Sequence, residues 1–148
     1  MGSCVLDPLD ATDPGHLSIT DRQWEQMRAD IEQSAPEEAC GLLAGLESQV
    51  IMVLPITNEL HSPVRYHMAA REQLDAFERI DYAGLQLVGI YHSHPNGPNG
   101  PSATDIAEAF YPEAAYLIWT PQDGVWSCRA FRIQDGQIQE VSLSVRNL

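Results

Sequence analysis

The chain has 148 residues, 44% hydrophobic and 7% aromatic, which suits one domain with a sizeable core and leaves no room for a second. Eight Lys and Arg against 21 Asp and Glu give a net charge of −13, which repels phosphate backbones and anionic lipid surfaces and excludes nucleic acid as an expected partner. No run approaches the roughly 18 apolar residues of a membrane span, and no basic segment precedes an apolar one at the N-terminus, so a cytoplasmic protein is expected.

Residues 1–16, rich in Asp, Pro and Gly, predict a flexible leader, with a single domain over 17–148. Thr20-x-x-Gln23 has the form of a capping box and opens a helix on which Trp24, Met27 and Ile31 follow helical spacing, and Pro36 stops it. Glu38, Cys40, Leu42 and Ala44 share one face of a strand that ends at Gly45. Gln49 to Thr57 reads as its antiparallel neighbour. The segment from Asn58 to Met68 is a loop broken by Pro63, followed by a short extended stretch. Ala70 to Ala83 predicts a second helix with Leu74, Phe77 and Ile80 inward and Gly84 as its stop.

An apolar run from Leu85 to Tyr91, bounded by Gly84, predicts a strand that leads directly into His92-Ser93-His94-Pro95. The loop from Asn96 to Pro101 has no apolar residue and is where a substrate could approach. A third helix is expected from Ser102 to about Phe110. Ala114 to Thr120 is another strand, and Val125 to Ile133 pairs with Gln137 to Val145 across Asp135-Gly136, a hairpin signal. No internal repeat or low-complexity tract is present. This order argues for an α/β fold, a mixed β-sheet flanked by helices.

The three cysteines, Cys4, Cys40 and Cys128, are an odd count without C-x-x-C spacing and predict reduced thiols, with Cys40 and Cys128 in the core; a Cys40–Cys128 bridge stays open. Position 6 is Leu, so Met1-Gly2 does not complete a myristoylation pattern. His16 falls in the leader, His61 and His67 read as structural or exposed, and Trp119 and Trp126 read as core or sheet-edge aromatics.

Two histidines and a carboxylate carry the chemistry. Strand side chains alternate, so His92 and His94 project to the same side and suit one metal ion. Asp105 is the nearest downstream carboxylate for a third ligand, and three protein ligands with a water in the fourth position is the pattern of a hydrolytic zinc. Taken alone, an H-x-H pair is also found at surfaces, and Ser102-x-x-Asp105 also has the form of a helix capping box. Capping and ligation are compatible, because a helix N-terminus can face a neighbouring strand end. Glu37 and Glu38 point to opposite faces of a strand, so one of them alone can reach the metal.

The combination His92-Ser93-His94-Pro95, six residues, then Ser102-x-x-Asp105, preceded about fifty residues earlier by Glu38-Ala39-Cys40-Gly41, resembles the JAMM metalloprotease signature of MPN-plus domains. The likeness runs from about Leu17 to the C-terminus. The stretch from Asn58 to Tyr66 looks most like the compact prokaryotic members that act on ubiquitin-like sulfur-carrier proteins. The resemblance implies a cytidine-deaminase-like MPN sandwich and one Zn2+ held by His92, His94 and Asp105. It selects Glu38 over Glu37 as the base that takes the proton from water and later delivers it to the leaving amine. It implies Ser102 as a hydrogen-bond donor to the oxyanion.

By the same resemblance the substrate is a ubiquitin-like, β-grasp protein cut just after its C-terminal Gly-Gly. Release of cysteine or another short adduct from a sulfur carrier comes first, deconjugation of a ubiquitin-like modifier from proteins second. The strand Gln49–Thr57 and the loop 96–101 are candidate edges for an extended tail, and the acidic balance favours a partner with a basic patch. A nucleobase deaminase would need H-x-E with P-C-x-x-C, absent here, and a metallo-β-lactamase-like enzyme would need His-x-His-x-Asp-His, which Pro95 and Asn96 break. A metal-free MPN scaffold is the non-enzyme alternative; every ligand position is filled in this chain.

Overall fold

The computed structural model of the chain describes residues 14–147. Along the chain run β1 (His16–Thr20), α1 (Asp21–Ser34), β2 (Cys40–Leu46), β3 (Gln49–Ile56), α2 (Ala70–Tyr82), β4 (Gln86–Ser93), α3 (Ala103–Ala107), β5 (Ala115–Gln122), β6 (Val125–Gln134) and β7 (Gln137–Arg146). The strands are ordered β1-β3-β2-β4-β5-β6-β7, and β7 pairs in parallel with β1 to close the sheet on itself. Parallel pairs β1–β3, β1–β7 and β4–β5 sit among antiparallel ones, so the sheet is mixed and helices lie against it, as the element order predicts.

Strand β1 was not legible, for a physical reason. It is five residues long and its main partner, β7, lies more than a hundred residues away, from His16↔Ser142 to Thr20↔Arg146, so no turn marks the pairing. Its Ser18 is buried, with its hydroxyl 3.1 Å from that of Ser144. His16, assigned to the leader, therefore opens a strand, with its ring Nε2 3.0 Å from Ser144 Oγ. Cys4 and the rest of the leader up to Asp13 lie outside the described residues.

Two apolar layers cover the faces of the sheet. Met27 and Ile31 of α1 pack with Leu43, Tyr91, Leu117 and Trp119 on one side. Ala76 and Ile80 of α2 pack with Cys40, Leu42, Ala44, Ile90 and Ile118 on the other. The alternation Cys40, Leu42, Ala44 against Leu43 is the period-two pattern expected of β2. Cys40 and Cys128 pack against opposite layers and are free thiols, so the open question of a bridge closes. Trp119 is fully buried against Trp24, ring centroids 4.5 Å apart, while Trp126 is half-buried at the edge of that layer.

Two helix expectations need correction. Leu74 is 53% exposed, not inward. It lies roughly 200° around the helix from Ala76, so once Ala76 and Ile80 face the sheet it must face solvent. The third helix ends at Ala107, well before Phe110, which is 74% exposed. Tyr111 donates its N–H to the Tyr116 hydroxyl at 3.0 Å, which turns the chain back toward β5.

Candidate metal centre

His92 stands near the end of β4, the strand between β2 and β5, in register with Cys40 on one side and Ile118 on the other. That central place makes it 1% exposed. His94 lies just past the strand, but its N–H donates to the Trp119 carbonyl at 2.8 Å, which prolongs the extended geometry. The two imidazoles therefore stay on one side of the sheet, their Nε2 atoms 3.0 Å apart.

Asp105 arrives from α3. Ser102 caps that helix: its Oγ accepts from the Asp105 N–H at 3.1 Å, and its own N–H donates to Asp105 Oδ2 at 2.9 Å. This reciprocal pair aims the carboxylate at the histidines. Asp105 Oδ1 is 3.2 Å from His92 Nε2 and Oδ2 is 3.1 Å from His94 Nε2. Capping and convergence on the histidines thus coexist in one residue.

The donor set fits a small divalent ion. An ion about 2.0–2.1 Å from each of three donors in a tetrahedron spreads them about 3.3 Å apart, close to the 3.0–3.2 Å separations between these three groups. His94 Nδ1 lies 2.7 Å from the Pro98 carbonyl, which only accepts, so Nδ1 carries the hydrogen and Nε2 is left to bind a cation. Glu38, His92 and His94, all buried, bring ligand atoms within 4.8 Å of one another and could hold a metal. Asp105 lies within 3.2 Å of both nitrogens, and Glu38 is buried beside the same point.

Glu38 is 4% exposed, whereas Glu37 is turned out to His61 at 3.1 Å. The main chain around Glu38 is pinned on both sides: its N–H donates to the Ser62 carbonyl at 2.8 Å, its carbonyl accepts from Asn58 Nδ2 at 3.1 Å, and the Ala39 N–H donates to Ser93 Oγ at 2.8 Å. Burial pushes the Glu38 carboxyl up to about 7, with His94 pulling it down and Asp105 pushing it up. For Asp105 burial acts upward too, but the hydrogen bonds to His92 and His94 outweigh it and hold the group well below the usual carboxylate range. Burial lowers His92. In His94 the same tendency is overcome by Asp105 and the Pro98 carbonyl, leaving it raised.

Gly41 of the Glu-x-Cys-Gly run has a packing reason. A Cβ there would stand 2.3 Å from Tyr91 Cε2, and the Tyr91 hydroxyl is in turn committed to Asp30 Oδ2 at 2.7 Å. The glycine lets that ring lie across β2 behind the site.

Other residues escaped the sequence reading. Asn58, 6% exposed, gathers the loop beside the site: its Nδ2 donates to the Glu38 and Arg65 carbonyls, and its Oδ1 accepts from the Leu60 and His67 N–H groups. Tyr66 stacks on His92 with ring centroids 4.7 Å apart. No spacing rule marks either, because both act through a loop whose shape is set by these same bonds. His61 and His67 pair with Glu37 and Glu59 at the surface, away from the cluster.

A small cleft of about 90 Å³ opens onto the cluster, lined by Glu38, Tyr66, His94, Pro98, Ser102 and Asp105 among others. A wider groove of about 500 Å³ continues behind Glu38 past Asp30, Glu37, Thr57 and Glu72. A larger cavity, about 800 Å³, lies elsewhere, between Glu47, Glu113 and Arg132, and holds none of the converging groups. No helix among the described residues is long and apolar enough to cross a membrane.

Residues 20–134 match the family described as prokaryotic homologs of the JAB domain. A protein of Thermus thermophilus named probable TtuB-protein conjugate cleaving protease is 41% identical over 122 residues, covering 82% of this chain and 77% of that protein. The CysO-cysteine peptidase of Mycobacterium tuberculosis is 35% identical over 122 residues, covering 80% of this chain and 84% of its own. The solution structure of protein DSY2949 from Desulfitobacterium hafniense matches with a TM-score of 0.79 at 34% identity, over 89% of this chain and 94% of that one. The JAB1/MPN domain protein AF2198 of Archaeoglobus fulgidus has the same fold, with a TM-score of 0.56 at 15% identity over 87% of this chain and 98% of that one.

Proposed function

The chain belongs to the family of prokaryotic homologs of the JAB domain, and on that premise we propose that it is a zinc-dependent peptidase acting on the amide bond after the C-terminal Gly-Gly of a ubiquitin-like protein. The first substrate class is a sulfur carrier bearing cysteine or another short adduct, and the location proposed is cytoplasmic. The observation that carries the reading is the convergence of His92 Nε2, His94 Nε2 and the Asp105 carboxylate within 3.0–3.2 Å, with Glu38 buried beside them.

His92, His94 and Asp105 would hold one ion. When bound, zinc supplies Lewis acidity, making water a nucleophile near neutral pH and polarising a carbonyl oxygen. Glu38 takes the proton from the attacking water and returns it to the leaving amine, a contribution of roughly 10²- to 10⁴-fold. Its burial supports this, because a carboxyl pushed up to about 7 is matched to moving a proton near neutrality. Ser102 uses a lone pair to accept from the Asp105 N–H, so its own hydrogen stays available to donate to the oxyanion. No covalent nucleophile is required: Cys40 is buried with its thiol pushed up to about 12 and directed at the Ile56 carbonyl.

An extended tail has two edges to lie along. Strand β3 pairs with β1 at Ser18↔Gln49, and no other strand among the described residues pairs with that flank toward Ile56 and the metal end, while the Val50 carbonyl accepts from Gln23 Nε2 at 2.9 Å. The loop 96–101 borders the cleft on the other side. Asp30, Glu37 and Glu72 in the groove behind Glu38 favour a partner with basic groups near its C-terminus.

Deconjugation of a ubiquitin-like modifier from proteins is the second reading, supported by the Thermus relative's name. Parallel incubations of the zinc-loaded protein with a carrier–cysteine adduct and with a carrier–lysine isopeptide conjugate decide between them. Faster release of cysteine supports the first reading, and faster release of the conjugated protein supports the second. Cleavage of neither, with zinc bound, moves a non-catalytic scaffold ahead.

A further inference from the structure

The two histidine rings are held by different means. His94 is fixed at both nitrogens, Nδ1 by the Pro98 carbonyl and Nε2 by Asp105. His92 is not: its Nδ1 is buried and has no hydrogen-bond partner. A metal-binding histidine ordinarily gives its second ring N–H to a carboxylate or carbonyl, which fixes the ring's orientation. On His92 that place is taken by nothing polar, and an aromatic ring lies against its face. Tyr66 stacks there with centroids 4.7 Å apart and planes 30° from parallel.

We propose that Tyr66 is a positioning residue for His92, its ring setting by stacking the orientation that a hydrogen bond sets for His94. The inference rests on the reading of His92 as a metal ligand. The torsion between Cβ and the imidazole is broad and soft, so a ring held at Nε2 alone, 3.2 Å from Asp105 Oδ1, still swings about that contact and misdirects Nε2. A flat neighbour against its face limits that swing, and Tyr66 is well held for the purpose. The residues on either side of it are tied to one buried side chain, the Arg65 carbonyl accepting from Asn58 Nδ2 at 3.0 Å and the His67 N–H donating to Asn58 Oδ1 at 3.1 Å. The Tyr66 ring also packs against the apolar layer that contains Cys40 and Ile118. Asn58, Tyr66 and His92 thus form a chain from loop to metal, and the part Tyr66 plays needs its ring rather than its hydroxyl.

The test is zinc affinity, measured by chelator competition, for the wild type and for Tyr66→Phe, Tyr66→Leu and Tyr66→Met, with metal-free melting temperatures alongside. Tyr66→Phe keeps the ring and should bind within about twofold of wild type. A folded ring-less variant should bind about tenfold more weakly or worse, as loss of a ligand's outer partner commonly does. Its cobalt-substituted form should show a shifted visible spectrum. Leu and Met differ in shape, so one serves if the other does not fold. Wild-type affinity in a folded ring-less variant overturns the proposal, as does a Tyr66→Phe protein that loses as much as Tyr66→Leu. If the wild type itself binds no zinc through His92, the parent reading of the site has failed instead.

Discussion

Ser102 and Asp105 bond to each other twice, Oγ accepting from one N–H at 3.1 Å and the other N–H donating to Oδ2 at 2.9 Å, so the same pair that starts α3 also aims a carboxylate at two histidines. Substituting Ser102→Ala removes the cap's acceptor and the proposed oxyanion donor together, while the backbone N–H that holds Asp105 survives. Loss of the cap should cost about 0.5–2 kcal/mol, seen in denaturant unfolding. Loss of the donor should lower turnover on the order of 10²- to 10³-fold with zinc affinity little changed. A stability loss with turnover nearly intact would restrict Ser102 to capping.

Metal binding should be coupled to a proton on His94. In the metal-free protein His94 is raised by Asp105 and the Pro98 carbonyl against the effect of burial, so a cation at Nε2 competes with a proton there. Zinc must displace it, and affinity should fall as pH drops below the raised His94 value. Calorimetry in buffers of different ionisation heat reads the released protons directly; heats independent of buffer contradict the expectation.

The Glu38 carboxyl gives a stability signature of definite sign. Its folded-state value, pushed up to about 7, lies above the 4.5 of the unfolded chain, so the folded protein binds this proton more tightly. Its contribution is present in full below about 4.5 and is lost as pH rises through about 7. Metal-free Glu38→Gln should therefore equal the wild type near pH 4 and exceed it at pH 8, by on the order of 1–3 kcal/mol. Asp105, held low, acts in the other direction, and its contribution fades only as pH falls below its unfolded value. Denaturant midpoints of both proteins across pH 4–8 measure the difference, and parallel curves would show that burial does not raise Glu38.

Gly41→Ala should destabilise by roughly 1–3 kcal/mol, typical of an overpacked core. The added carbon would meet the Tyr91 ring at 2.3 Å, and that ring cannot swing aside without breaking its bond to Asp30. Thermal unfolding of Gly41→Ala and of the double variant Gly41→Ala/Tyr91→Leu checks this; the second change should recover part of the loss.

What was legible in the sequence was local. The order of elements from α1 to β7, the hairpin at Asp135-Gly136 and the side shared by His92 and His94 follow from periods and turn residues confined to a few positions. Strand β1 was not legible, because its partner lies at the other end of the chain. Nor was the facing of α2, where Leu74 and Ile80 look alike as letters and only the sheet decides between them. At the site, His92, His94, Asp105, Glu38 and Ser102 lie close together, and the roles the resemblance implies for them are proposals. The residues that hold them, Asn58, Tyr66 and the Pro98 carbonyl, act through loop conformations that no periodicity encodes.

The most direct test is intact-mass spectrometry of a β-grasp carrier with a cysteine or short peptide after its C-terminal Gly-Gly, incubated with zinc-loaded wild type and with zinc-loaded Glu38→Gln. The expected result is a carrier shortened to Gly-Gly with the wild type, and a rate lower by roughly 10²-fold or more with a variant that still binds one zinc. Equal cleavage by Glu38→Gln would contradict the assignment of Glu38 as the base. An uncut carrier in the presence of zinc-loaded wild type would contradict the proposed substrate.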